Sequence, residues 1–312
     1  MREQRQRRKK KWWPKVVLCI ALLFAIYLLT PFGNAGDDTL GINPSAAARN
    51  LSGIGTRDTS ANAIEHPEGF PMFSVQMSVP EIEDTQYLKL VNRTHGIHTP
   101  VDPNRLVSAW PDIPVRATDI LLHETAFYAM RALYQMAEQA GFHNLFIASG
   151  YRRGDEQSDL YENAVDRAYV MPSGHSEHQL GLAADILASG TYNTGGMAGT
   201  EEARFLAEHA PQFGLILRYP YHKQDITEVA YEPWHFRYVG RIHAWLMGQY
   251  DFVLEEYIVF LQNEGNYQVA LDGREYTILY QRAENGIIFV PEAMEFHISS
   301  TNTGGYIVTA WR

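Results

Sequence analysis

Ser173-Gly174-His175-Ser176-Glu177-His178-Gln179-Leu180-Gly181-Leu182-Ala183-Ala184-Asp185-Ile186 sets two histidines and a carboxylate among small residues that let backbone segments approach closely. Imidazole and carboxylate are the donors a catalytic zinc ion takes, and such a site needs three of them with a fourth position left for water. A third donor is available in Glu232-Pro233-Trp234-His235, where the histidine binds metal while the glutamate three residues earlier addresses the water that the metal activates. Spacing alone leaves two readings open: a metal site, or a loop in which His175 and His178 only form a polar surface.

Upstream, Leu145-Phe146-Ile147-Ala148 reads as a short buried strand ending at Ser149-Gly150. Tyr151, Arg152 and Arg153 therefore emerge at a strand end, where sites are commonly built. From Asp119 to Ala140 apolar residues recur at helical spacing, and Gly141 follows as a C-cap. A polar helix starts near Asp155. A second amphipathic helix carries Ala203, Leu206, Ala207 and Ala210, with Glu201 and Glu202 in the first turn, where the helix dipole favours negative charge.

Downstream of Phe236 an amphipathic stretch runs to about Leu261, and the pattern then changes to strands. Tyr267–Leu271, Glu275–Tyr280, Ile287–Val290 and Tyr306–Trp311 are interrupted by the dipeptides Asp272-Gly273 and Asn285-Gly286, both hairpin signals. Residues 263–312 thus read as a small β-rich C-terminal unit.

With Ser149-Gly150-Tyr151-Arg152 as a third element, the sequence resembles the VanY-type D-alanyl-D-alanine carboxypeptidases. The signature of that superfamily, Ser-x-His-x-x-Gly-x-Ala-x-Asp followed by Glu-x-x-His, is met without departure by Ser176 to Asp185 and by Glu232 to His235. The resemblance covers roughly residues 88–261. It implies one zinc ion held by His178, Asp185 and His235, Glu232 as general base, and Arg152 contacting substrate near the reacting carbonyl or carboxylate. Arg153 and Gln157 are second choices for that last role. It also implies an α+β fold in which a small antiparallel sheet is flanked by helices and carries the zinc at its open face.

His175 stands outside the signature. His95 and His98 read as part of a loop before the domain, His222 and His243 as surface or packing residues, and Asp225 and Glu228 as solvated loop charges. Trp234 and Tyr151 read as packing residues that also wall the site.

The N-terminus points to location by a separate argument. Residues 1–15 hold eight Lys/Arg and one acid, a local charge of +7 that leaves −17 for the rest of a chain whose net charge is −10. An acidic body argues against a nucleic-acid binder, since neutralising phosphates takes a basic face. Residues 16–36 carry no charge, and their apolar run with the flanking Trp12 and Trp13 approaches the roughly 20 residues that span a bilayer. Lys/Arg before such a segment keep the N-terminus in the cytoplasm, which predicts a single-pass anchor in a bacterial cell membrane with everything after it outside. The competing reading is a cleaved signal peptide.

Cys19, the one cysteine, lies in this segment, so the remainder has neither a disulfide nor a thiol nucleophile. Residues 37–80 read as a linker and 81–262 as the catalytic domain. The expected activity is removal of the terminal D-alanine from peptidoglycan stem peptides. The alternatives are an L,D-carboxypeptidase acting on shorter stems, a dipeptidase on free D-Ala-D-Ala, and a non-catalytic peptidoglycan-binding module.

Overall fold

The computed structural model describes residues 74–191, 194–292 and 294–312. In chain order these form β1 (Ser74–Ser78), β2 (Leu106–Ser108), β3 (Leu121–His123), α1 (Glu124–Gln139), β4 (Leu145–Ser149), α2 (Gly154–Glu162), β5 (Ala183–Ala188), α3 (Glu201–His209), β6 (Leu215–Leu217), α4 (Gln224–Thr227), β7 (His235–Tyr238), α5 (Arg241–Tyr250) and α6 (Leu254–Glu264). The strands β8 (Asn266–Leu271), β9 (Arg274–Gln281), β10 (Ile287–Pro291), β11 (Glu295–Ser300) and β12 (Tyr306–Trp311) complete the chain. The segments read as tail and anchor, 1–15 and 16–36, lie outside the described residues. Among the described residues no helix is long and apolar enough to cross a membrane.

The central sheet has the order β4-β5-β7-β6 and every pairing in it is antiparallel. Side chains alternate across a strand, so Ala184, Ile186 and Phe236 enter one core with Met130 and Leu133 of α1 and Leu206 of α3. Asp185, His235 and Arg237 are thereby turned to the opposite face. Phe236 is fully buried in that core, and truncating it to Ala costs about 3–5 kcal/mol.

Helix α1 begins later than the periodicity suggests. Leu121–His123 pairs with β2 as a strand, and the His123 ring then accepts a hydrogen bond from the Thr125 amide to cap the helix. The stretch after Phe236 is likewise not one helix. Asp251, at φ 52°, closes α5 with its amide on the Met247 carbonyl, and α6 restarts at Leu254.

The C-terminal sheet has the order β11-β12-β9-β8. Asp272 and Gly273 both adopt positive φ, as a type I′ turn requires, and β8 and β9 pair across them. Asn285 and Gly286 adopt positive φ too, yet β10 does not run back along β9. It pairs with β1, whose residues fall in the stretch read as linker. The Gln281 side chain bridges the gap, accepting from the Phe289 amide and donating to the Phe289 carbonyl, each at 2.8 Å. The strand β11 carried no distinct sequence signal.

Candidate metal centre and active site

Three strands present one polar row. Asp185 is the cross-strand neighbour of Ser149 on one side and of His235 on the other. Ile147 pairs with Ile186 on the core face, and an irregularity between Ile147 and Ser149 reverses the alternation of β4. That bulge brings the end of β4, and Arg152 after it, to the face that carries Asp185.

His178 arrives from a short 3₁₀ turn, Glu177–Leu180, that ends on Gly181 at φ 68°. A Cβ at Gly181 would stand 2.9 Å from Leu106 and 3.0 Å from the His123 amide, so the turn needs glycine for both conformation and space. Gly150 answers a similar constraint, since a Cβ there would collide with the Leu121 carbonyl. Its own carbonyl accepts a 2.7 Å hydrogen bond from His178 Nδ1. Because a carbonyl only accepts, Nδ1 carries the proton and Nε2 is left to face the site.

His178 Nε2 lies 3.5 Å from Asp185 Oδ2, and His235 Nδ1 lies 3.1 Å from Asp185 Oδ1. One ligand atom from each of the three residues falls within 4.8 Å of the others. Donors placed tetrahedrally at zinc distances of about 2.0–2.2 Å stand about 3.4 Å apart. Two imidazoles and a carboxylate at this spacing fit a zinc ion.

Electrostatics separate the roles. Burial pushes Asp185 up, but His178 and His235 outweigh it and hold its carboxyl well below the ordinary range. Burial pushes the His178 imidazole down, toward the neutral form that a metal needs. His235 is raised to about 9, because hydrogen bonds to Asp185 and Glu177 outweigh its burial. Glu232, 5% exposed and 3.6 Å from His235 Nδ1, is pushed up to about 8, chiefly by burial.

These residues line a cavity of about 360 Å³ together with Arg152, Gln157 and Trp234, and the exposed Leu160 and Tyr169 also line it. Arg152 Nη2 donates to Ser149 Oγ at 2.7 Å and Nη1 to Gln157 Oε1 at 2.8 Å, while Gln157 Nε2 donates to the Met171 carbonyl. Gln157 therefore holds Arg152. Arg153 instead pairs with Asp155 and Glu156 at the surface.

His175 is no part of the cluster; its Nδ1 bonds the Asn92 carbonyl at 2.7 Å and pins the loop that contains His95. His222 pairs with Asp251 at the surface, and His243 is buried between Tyr257 and Thr309. Three residues that the sequence reading passed over stand directly behind the site. Glu177, Arg218 and Arg237 are fully buried around His235. For the two arginines the signal was there, as charges directly after the apolar strand Leu215–Leu217 and inside the strand His235–Tyr238, whereas Glu177 stands within the metal-binding motif itself.

The family model described as VanY, D-alanyl-D-alanine carboxypeptidase, matches residues 119–241. A D-alanyl-D-alanine carboxypeptidase of Enterococcus faecium is 40% identical over 176 residues, which are 56% of this chain and 56% of that protein. The bifunctional D-Ala-D-Ala dipeptidase and D-Ala-D-Ala carboxypeptidase VanXYC of Enterococcus gallinarum is 30% identical over 195 residues, 56% of this chain and 94% of that protein. Among solved structures, the vancomycin resistance D,D-dipeptidase VanXYg in complex with a D-Ala-D-Ala phosphinate analog superposes with a TM-score of 0.66. It is 29% identical, and the match covers 77% of this chain and 98% of that one. The chain spans little more than half the length of the E. faecium relative.

Proposed function

We propose that this chain, which belongs to the VanY family of D-alanyl-D-alanine carboxypeptidases, is a zinc-dependent D,D-carboxypeptidase that removes the terminal D-alanine from peptidoglycan stem peptides. The observation that carries this reading is the convergence of His178, Asp185 and His235 with the buried Glu232 and with Arg152 on one cavity.

Zinc held by the two histidines and the aspartate supplies Lewis acidity, lowering the pKa of a water molecule and polarising a carbonyl. Glu232 stands beside the ligands without belonging to them. Buried 3.6 Å from His235 Nδ1 and lining the same cavity, it is placed to take a proton from the attacking water and return it to the departing D-alanine amine. Arg152 has five N–H groups, of which Ser149 and Gln157 engage two. The others suit a terminal carboxylate or a developing oxyanion, for which a planar fork is better shaped than an ammonium.

The basic residues 1–15 and the apolar 16–36 support a membrane anchor that holds the catalytic domain outside the cytoplasm, where stem peptides are found. The likeness to the dipeptidase VanXYg favours free D-Ala-D-Ala as a second substrate.

The test is D-alanine release by the zinc-loaded protein from a pentapeptide stem, a tetrapeptide stem and free D-Ala-D-Ala, with Glu232→Ala as control. Zinc-dependent release from the pentapeptide, abolished by the substitution, is the expected result. Release from the tetrapeptide alone reassigns the chain to L,D-specificity, and no release from any of the three by metal-loaded protein refutes the carboxypeptidase reading.

A further inference from the structure

Behind the three metal-binding residues lies a buried ion network that the chemistry above does not use. Glu177 precedes His178 directly, and its side chain has no solvent exposure. Its Oε1 accepts from Arg218 Nε at 2.9 Å and faces Arg237 Nη1 at 3.0 Å, while its Oε2 lies 3.4 Å from His235 Nε2. Neither arginine is free to move. Arg218 is locked on its outer edge by a two-pronged pair with Glu255 of α6, at 2.8 and 2.6 Å. Arg237 donates through Nη2 to the carbonyls of Gln86, Tyr87 and Lys89. Two glutamates and two arginines cancel in charge, which is the condition under which a buried ion network is tolerable.

We propose that Glu177 is a positioning residue for the metal centre: clamped by Arg218 and Arg237, it accepts the Nε2–H of His235 and so fixes that ring with Nδ1 toward the ion. The proposal rests on the reading of His178, Asp185 and His235 as zinc ligands. The imidazole stands between two carboxylates: Nδ1 lies 3.1 Å from Asp185 Oδ1, the neighbouring donor to the ion, and Nε2 lies 3.4 Å from Glu177 Oε2, with the Tyr219 ring 5.0 Å away between centroids. His235 and Arg237 alternate onto the same face of β7, so the strand that carries the ligand also carries half of the clamp.

The two histidines are thereby held differently. His178 donates its outer N–H to a neutral carbonyl, that of Gly150, and His235 donates to a full negative charge. A carboxylate in that position makes an imidazole a better donor to metal, and losing such a partner commonly weakens metal affinity by about 10- to 100-fold.

The experiment uses the full chain, with zinc affinity measured by competition against a chromophoric chelator and the fold of the metal-free protein followed by circular dichroism. Glu177→Gln leaves two buried arginines facing one glutamate, so it is paired with the charge-balanced Glu177→Gln/Arg237→Gln. Both variants are expected to stay folded without metal, to bind zinc about 10- to 100-fold more weakly than wild type, and to regain activity as zinc is raised. A purely structural network would instead lower stability and leave the zinc affinity of the folded fraction unchanged, and that result overturns the proposal.

Nitrogen-15 spectra of histidine-labelled, zinc-loaded wild type test the same point without any variant. A proton on His235 Nε2 with metal on Nδ1 supports the proposal, and the opposite arrangement overturns it. Wild type that binds no zinc at all overturns the ligand reading, and this inference with it.

Discussion

Glu232→Gln is expected to remove activity while making the metal-free protein more stable. The Glu232 carboxyl has its pKa raised from 4.5 to about 8, chiefly by burial. The folded chain therefore binds more protons at this site than the unfolded chain between those two values, and stability falls as the pH rises through that window. At pH 7 the lost interval is about 2.5 pH units, or about 3 kcal/mol at 1.36 kcal/mol per unit. Gln keeps the shape and carries no charge to bury.

Urea unfolding of metal-stripped wild type and variant at pH 4 and pH 7 reads this directly. The variant gains about 3 kcal/mol at pH 7 and almost nothing at pH 4, where Glu232 is protonated in both states. In the zinc-loaded state the same variant loses about 10²- to 10⁴-fold in kcat, the usual contribution of a general base, with zinc affinity preserved because Glu232 is not a ligand. Equal stability of the two proteins at pH 7, or retained turnover, would refute the assignment of Glu232 as a buried, strained base.

Arg152→Lys keeps the charge but loses the fork held by Ser149 and Gln157; kcat/KM for D-alanine release is expected to fall about 10²- to 10³-fold, with zinc affinity unchanged in the same chelator assay. Gly150→Ala forces a Cβ against the Leu121 carbonyl and displaces the carbonyl that receives His178 Nδ1. Zinc binding should weaken together with a stability loss of about 1–3 kcal/mol in urea. At the contact of the C-terminal sheet with α5, burial lowers His297 from 6.5 to about 4 and holds His243 well below its ordinary value. Both bind fewer protons folded than unfolded, so their contribution is complete above pH 6.5 and is lost as the pH falls toward 4. For the half-buried His297 the loss is about 2 kcal/mol, and His297→Gln should flatten urea midpoints measured between pH 7 and pH 4.5.

Legibility followed distance along the chain. The candidate donors around Gly181 and the Glu232–His235 pair were readable because each motif is short, although spacing alone left a plain polar loop open and the family resemblance decided between the two. The helices α1 and α3 were readable as periodic apolar faces, α2 as a polar helix near Asp155, and the Asp272-Gly273 hairpin from local turn chemistry. The Asn285-Gly286 turn formed as its residues dictate, yet the strand after it chose β1, because strand pairing is settled by whichever edge is available in space.

What the sequence offered by itself was therefore a set of candidate donors, a candidate base and a mixture of helices and strands, all properties of residue type and local spacing; the resemblance to a known family is what turned them into an expected metal site on an α+β fold. Only the tertiary structure decided that Asp185 and His235, 50 residues apart, are cross-strand neighbours. It alone brought Arg218, 41 residues beyond Glu177, behind the site. Strand register and burial arise from long-range packing, and they set which nitrogen of each histidine faces the cavity, how far Glu232 is pushed from its ordinary pKa and which charges stand behind His178, Asp185 and His235.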